Sequence, residues 1–174
     1  YGYVDNGLYL INTHNGIKGK LPRIDINDYP AVKTYLDQYW DKISVRSDKG
    51  DTPYNLRNCA YLEDFSKPKI VWNRIAAIKQ FAKVDESVYI QDSMHFIIGE
   101  KLNYICSVLN SKTIQWLLST IIGEAAGGNA GNADNIGNIP VPFVSSDKSI
   151  SDNYLYKKYE LTKEEIAFIE NRED

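Results

Sequence analysis

The chain opens with Gly7 to Ile11, an aromatic and branched run that predicts a short strand. Turn-rich Asn12 to Gly19 follows as a surface loop carrying Lys18, with Lys20 just beyond it. From Asp28 to Ser44 the apolar positions take helical spacing. Val32, Tyr35, Leu36, Tyr39, Trp40 and Ile43 stand at i, i+3, i+4, i+7, i+8 and i+11, Asp28 can cap, and Pro30 fits a first turn, so one amphipathic helix is expected. Its other face, with Lys33, Asp37, Gln38, Asp41 and Lys42, has mixed sign and suits water. Residues 45 to 58 are polar throughout, a long connection of the kind that needs a functional reason inside a compact domain.

From Pro68 the pattern turns to β, with strands expected at Lys69 to Asn73, Ile75 to Ala82, Val88 to Gln91 and Met94 to Ile98. Asp85-Glu86 and Asp92-Ser93 supply turn signals between them. Helical spacing resumes at Leu102, Ile105, Cys106 and Leu109, and after Asn110-Ser111 at Ile114, Leu117, Leu118, Ile121 and Ile122. Residues 123 to 137 hold five of the eleven glycines and read as a loop, because glycine loses the most entropy inside a regular element. Ile139-Pro140-Val141-Pro142 should run extended. After a Ser/Asp linker, Thr162 with Glu165 forms a capping box ahead of a final acidic helix. The predicted class is α+β, a mostly antiparallel sheet covered by several short helices, with one domain over 1–145 and a linker plus acidic C-terminal helix over 146–174.

With 174 residues, 43% hydrophobic and 25% charged, the chain has the makings of one well-buried core. No apolar run exceeds four residues, so no membrane partner is expected. Cys59 and Cys106 stand far apart in no paired motif, which points to reduced thiols and a cytoplasmic location. The absence of an initial Met points to a piece of a longer polypeptide. Charge is polarised: residues 12 to 83 carry 13 Lys/Arg against 8 Asp/Glu, although the whole chain is at −3. A net acidic balance counts against a polyanion partner, whereas the local surplus favours one.

The catalytic inventory is thin. Two histidines, His14 and His95, and two separated cysteines cannot supply a zinc ligand set. The glycine-rich segment contains no Lys or Arg and lacks the Gly-Lys-Ser/Thr ending of a phosphate-binding loop. No Gly-x-Ser-x-Gly elbow is present. The segment is therefore expected to do no chemistry itself and to need no cofactor.

Aromatics are abundant, and in the central stretch they lie beside basic residues: Tyr54 near Arg57, Tyr61 before Lys67, Trp72 before Arg74. Guanidinium and amide side chains suit base edges in the major groove, and lysines suit phosphates. Lys49, Arg57, Lys69 and Arg74 are the candidates for phosphate or base contact, with Asn58 and Asn73 as candidate base readers. Trp72 and Tyr61 are better read as core.

The stretches Trp40-Asp41-Lys42, Arg46-Ser47-Asp48-Lys49-Gly50, Thr52-Pro53-Tyr54-Asn55-Leu56-Arg57-Asn58-Cys59-Ala60-Tyr61 and Phe65-Ser66-Lys67-Pro68-Lys69-Ile70-Val71-Trp72 carry a resemblance. Together with Thr13 to Lys18, Tyr29 to Lys33, Leu109 to Lys112 and Ile139 to Pro142, they resemble the TaqI-like C-terminal specificity domain of type IIG and Eco57I-like restriction-modification enzymes. The resemblance covers about residues 8 to 143. It implies a target-recognition domain that selects double-stranded DNA, attached to an upstream methyltransferase domain. That domain would use S-adenosylmethionine to methylate adenine N6, with a Mg2+-dependent endonuclease in some members. The chain has neither Asn-Pro-Pro-Tyr nor a nuclease core, so only the recognition role fits it. Two other classes stay open: a protein-interaction module docking a partner subunit or the catalytic domain through the helix from Asp28 and the acidic terminal helix, and a carbohydrate or small-ligand binder stacking on Tyr and Trp.

Overall fold

A computed structural model describes residues 7–74, 80–121 and 133–171. The described residues divide into two compact units, here the 5–65 unit, which ends at Phe65, and the 66–174 unit, which begins at Ser66.

The 66–174 unit is the α+β part. Strands β1 (Lys69–Asn73), β2 (Ala82–Val84) and β3 (Met94–Ile97) form an antiparallel sheet of order β2-β1-β3, with Val71 opposite both Ala82 and Phe96, and Trp72 opposite His95. Helices α3 (Leu102–Leu109) and α4 (Lys112–Ile121) follow, then short α5 (Ala133–Gly137), α6 (Asp152–Lys158) and α7 (Lys163–Glu170). The α3 helix packs on β1 and β2, while α6 and α7 pack on α4. Ile70, Trp72, Phe81, Leu102, Val108, Leu109, Ile114, Leu118 and Leu155 form the core; Leu102, Leu109, Ile114 and Leu118 are there as helical spacing predicts, and Trp72 as its core reading predicts. Extended Ile139 to Pro142 is held from both sides: Tyr104 Oη donates to Pro142 O (2.7 Å) and Tyr159 Oη to Pro140 O (2.8 Å). The Thr162–Glu165 capping box opens α7 as expected.

Several expectations change. Val88 to Gln91 forms no strand. Asp85 instead closes a local turn onto Ser87, and the Asp85 and Val88 carbonyls accept from Lys69 Nζ, so the segment loops over β1 and joins no ladder. Part of the presumed linker is α6, which Lys112 N–H ties down by donating to Asp152 Oδ1 (2.7 Å). Within 123 to 137, Ala133–Gly137 is a short helix burying Ile136; the glycines from 123 to 131, like the 75–79 half of the expected second strand, lie outside the described residues.

Tyr156 of α6 is buried, and its phenol donates to Glu170 Oε1 of α7 at 3.3 Å. Burial, helped by the charges of Asp152 and Glu170, pushes its pKa up to about 12. A phenol whose folded pKa exceeds its unfolded value of 10 contributes stability that is fully present below pH 10 and lost as pH rises through 12. Buried Tyr104 and half-buried Tyr159 act in the same direction. The denaturant stability of this unit is expected to fall over that window, by on the order of 2–3 kcal/mol from Tyr156. Tyr156→Phe, which has no proton to lose, should remove that part of the fall; urea titrations at rising pH test it, and an unchanged fall in the variant contradicts it.

In the 5–65 unit the expected single helix from Asp28 to Ser44 is broken into a 3-10 turn (Ile26–Asp28), α1 (Pro30–Asp37) and α2 (Trp40–Ile43). Tyr39, at φ −111° and ψ 17°, sits outside the helical region. No residue of α1 or α2 is buried, and Tyr35, Tyr39 and Trp40 remain exposed. The apolar stripe meets no core that would keep one helix in phase; Trp40 packs on Tyr54 instead, ring centroids 5.5 Å apart. Gly7 to Ile11 likewise forms no strand, and Leu8 to Ile11 stay exposed.

Candidate nucleic-acid interface

The 5–65 unit is built around a polar hub. Asn55 is 2% exposed; its Nδ2 donates to Ile24 O (2.9 Å) and its Oδ1 accepts from Thr52 Oγ1 (2.6 Å). Around it Thr13 Oγ1 donates to Tyr54 O (2.7 Å), Leu56 N–H to Thr13 O (2.9 Å), and Arg46 Nη2 to Asn55 O (2.5 Å). Arg46 is thereby a strut of the loop 45 to 58. An antiparallel bridge joins Lys49 to Leu56, and Gly50 is required there, because a Cβ would come within 2.5 Å of Asn15 Oδ1 and Leu56 O. The long polar connection is thus an ordered scaffold, held by hydrogen bonds instead of apolar burial.

A second feature leans on this scaffold. Ile17 and Leu21 exchange backbone hydrogen bonds (2.8 and 2.9 Å), closing a hairpin whose tip, Gly19, has φ +77°. Asn15 ties the hairpin's base to the loop: its Nδ2 donates to Asp51 Oδ1 (3.0 Å) and Asn58 Oδ1 (2.7 Å), and its Oδ1 accepts from Asp51 N–H (2.9 Å). Between them lies an open groove of about 600 Å3 lined by Lys18, Lys20, Arg23, Asp51, Asn15 and Asn58. On α1, Asp37 accepts from both Tyr54 Oη and Lys33 Nζ, and they hold its carboxyl below the usual carboxylate range, Lys33 foremost.

The predicted contact residues divide between the units. Lys49, Arg57 and Asn58 are in the 5–65 unit, all exposed; Lys69, Asn73 and Arg74 are in the 66–174 unit. Arg57 has no ion-pair or hydrogen-bond partner among the described residues and suits an external anion or base edge. Lys49 Nζ donates to Ser44 O (2.7 Å) and keeps its charge at the surface. Asn58 Oδ1 is already taken by Asn15, so its Nδ2 donors are what it offers a ligand. Asn73 is exposed at the end of β1, and Arg74 beside it is half-buried, its backbone N–H donating to Ser93 O (2.9 Å).

Lys69 has to be withdrawn from the contact set. It is 0% exposed, its ammonium donates to Asp85 O (3.1 Å) and Val88 O (3.0 Å), and burial lowers its pKa against the opposing pull of Asp85 and Glu86. A lysine engaged inside the fold cannot reach a phosphate. The structure instead brings Lys18, Lys20 and Arg23, which local pattern placed only in a surface loop or passed over, into one groove with Asn58. The signal was present in Lys18 and Lys20 flanking Gly19, but the convergence with Asn58, some forty residues away, is tertiary.

Among the described residues no cluster of three His, Cys, Asp or Glu gathers as a metal site would need, and no helix is long and apolar enough to cross a membrane. Both cysteines are free thiols, and burial pushes that of Cys106 up. No curated protein matches the chain. A family match, by contrast, spans residues 17–141, from the hairpin through the loop 45 to 58 and the sheet to the extended Pro140–Val141 segment, and on that span the chain belongs to the TaqI-like C-terminal specificity domain family.

Proposed function

We propose that this chain is the DNA-specificity domain of a restriction-modification enzyme and binds double-stranded DNA sequence-specifically. It performs no chemistry itself. Its parent polypeptide is an adenine-specific DNA methyltransferase of the type IIG kind that uses S-adenosylmethionine, with an endonuclease and its Mg2+ in those members that cleave. The upstream methyltransferase domain is its partner in the same chain, and the setting is cytoplasmic. The match to a specificity-domain family over residues 17–141 carries the reading. It is supported by the rigid, hydrogen-bonded loop that displays Arg57 and Asn58 to solvent, since base reading demands side chains held on a fixed scaffold.

Arg57→Ala is expected to weaken binding to the preferred duplex by about 1–3 kcal/mol and to relax the preference at the position it reads. Selection from a random-sequence duplex pool, followed by anisotropy titration of the selected site, measures both. Unchanged affinity and preference would take Arg57 out of the interface. A protein-docking reading has one observation in its favour, the exposed Tyr35, Tyr39 and Trp40 of the broken helix. It predicts that the unaltered chain enriches no sequence from the duplex pool, so the same selection separates the two.

A further inference from the structure

We infer that the Gly16–Arg23 hairpin is a phosphate clamp, an element that grips the DNA backbone in the groove it shares with Asn58 and fixes register without reading bases. This assignment rests on the DNA-binding reading above and goes beyond it by separating a positioning element from the reading loop.

The hairpin is built to project charge rigidly. Lys20 N–H donates to Ile17 O (2.9 Å) to close a four-residue turn, with Gly19 at its third position, where a positive φ is required. At the base Gly16 has φ +74°, and a side chain there would strike the backbone of Leu21, Pro22 and Arg23, so the two arms meet at a contact only glycine permits. Ile24 N–H donates to His14 O (3.1 Å), and Asn55 Nδ2 takes Ile24 O, which anchors both arms to the hub. The tip itself is open: a Cβ on Gly19 would meet nothing within 4 Å.

Three cations stand on this short segment. Lys18 is exposed and has no ion-pair partner among the described residues. Lys20 pairs with Glu63, and Arg23 with Asp51 at 3.5 Å, all four side chains being roughly half exposed. Exposed pairs of this kind are weak, so a phosphodiester, which presents the same charge on two acceptor oxygens, can displace either carboxylate. Glu63 and Asp51 thus hold the positions a phosphate would take. The lining carries three cations against one carboxylate, Asp51, and the amides of Asn15 and Asn58 at its floor are polar and fixed. Ile17, Leu21 and Pro22 complete the lining, and a sugar-phosphate backbone finds there charge and hydrogen bonds for its phosphates together with apolar contact for its sugars.

The test uses the full chain, a fluorescent mixed-sequence duplex titrated over a salt series, and selection from a random duplex pool. Each phosphate contact adds roughly 0.9 to the slope of log affinity against log salt, so replacing Lys18, Lys20 and Arg23 together by Gln should lower that slope by roughly two to three while the selected sequence stays the same. Glu63→Gln, which frees Lys20, should tighten mixed-sequence binding about two- to fivefold. A wild-type slope in the triple variant, or an altered selected sequence, overturns the clamp and leaves the DNA-binding reading standing. Failure of the unaltered chain to bind any duplex overturns both. If the triple variant does not fold, Glu63→Gln decides alone: tighter binding supports the clamp, and unchanged or weaker binding overturns it.

Discussion

Asn55→Asp, the exchange of one NH2 for one oxygen, is expected to destabilise the 5–65 unit by about 3–5 kcal/mol, a range typical of breaking a buried polar network and leaving a charge unpaired. Among the described residues of this unit Ile26 is the buried apolar side chain; the other buried positions are Thr13, Gly16 and Asn55. Apolar burial therefore cannot hold the unit, and the hydrogen bonds converging on Asn55 must. The variant loses the donor to Ile24 O and sets a carboxylate against that carbonyl, with the His14 and Thr13 carbonyls only 3.4 and 3.5 Å from the same nitrogen. Hydrogen exchange should show protection lost at Gly50, Leu56 and Ile24, whose amides donate within this network. Duplex binding should fall with it, since the hairpin and Arg57 share the scaffold. Acidification gives a check on cause: burial raises the new carboxyl's pKa, and its protonated form regains a donor, so protection should partly return as pH falls. Retained protection at neutral pH would show that the hub is not what holds the loop.

The contrast between the two units explains what was legible in the sequence. In the 66–174 unit, β1, β3, α3 and α4 follow from periodicity because each buries a regular face in a common core; Leu102, Leu109, Ile114 and Leu118 are where spacing places them. The helix α6 was hidden, since Ser151, Asp152 and Asn153 look like linker until Leu155 is seen to enter that core. Lys69 misled for a related reason. At the start of a strand a lysine reads as solvent-facing, and only the loop from Asp85 to Val88, folded over it, supplies the carbonyls that let it be buried. In the 5–65 unit the amphipathic pattern from Asp28 to Ser44 predicted a core partner that the unit does not contain, so helix spacing survived in pieces and its apolar face did not become buried. The site was half visible on the same grounds. Arg57 and Asn58 announce themselves by composition, whereas the groove exists because Asn15, Asp51 and Asn58 meet through side-chain hydrogen bonds that no local pattern encodes.

Trp72 is where the predicted core can be tested most severely. It lies in the central strand, opposite His95 of β3, is 2% exposed, and has its ring centroid 5.6 Å from those of both Phe81 and His95. Because β1 is paired on both sides, its backbone cannot shift inward to fill a void without breaking one ladder, so Trp72→Ala should leave most of its cavity open. The expected loss is about 3–5 kcal/mol, near the whole stability of a small domain. Trp72→Phe, which keeps a ring against Phe81, should lose distinctly less. Urea unfolding followed by far-ultraviolet circular dichroism measures both, and a loss in Trp72→Ala no greater than in Trp72→Phe would mean that the ring fills no essential space. Under the proposed DNA-binding function the consequence extends to Asn73 and Arg74, which follow Trp72 directly, the Arg74 N–H donating to Ser93 O at the end of the same sheet. A strand end that frays no longer holds those two side chains at fixed positions. If those two side chains contact DNA as proposed, Trp72→Ala should weaken binding to the selected duplex from within the core, and more strongly than it weakens binding to mixed sequence, where position matters less.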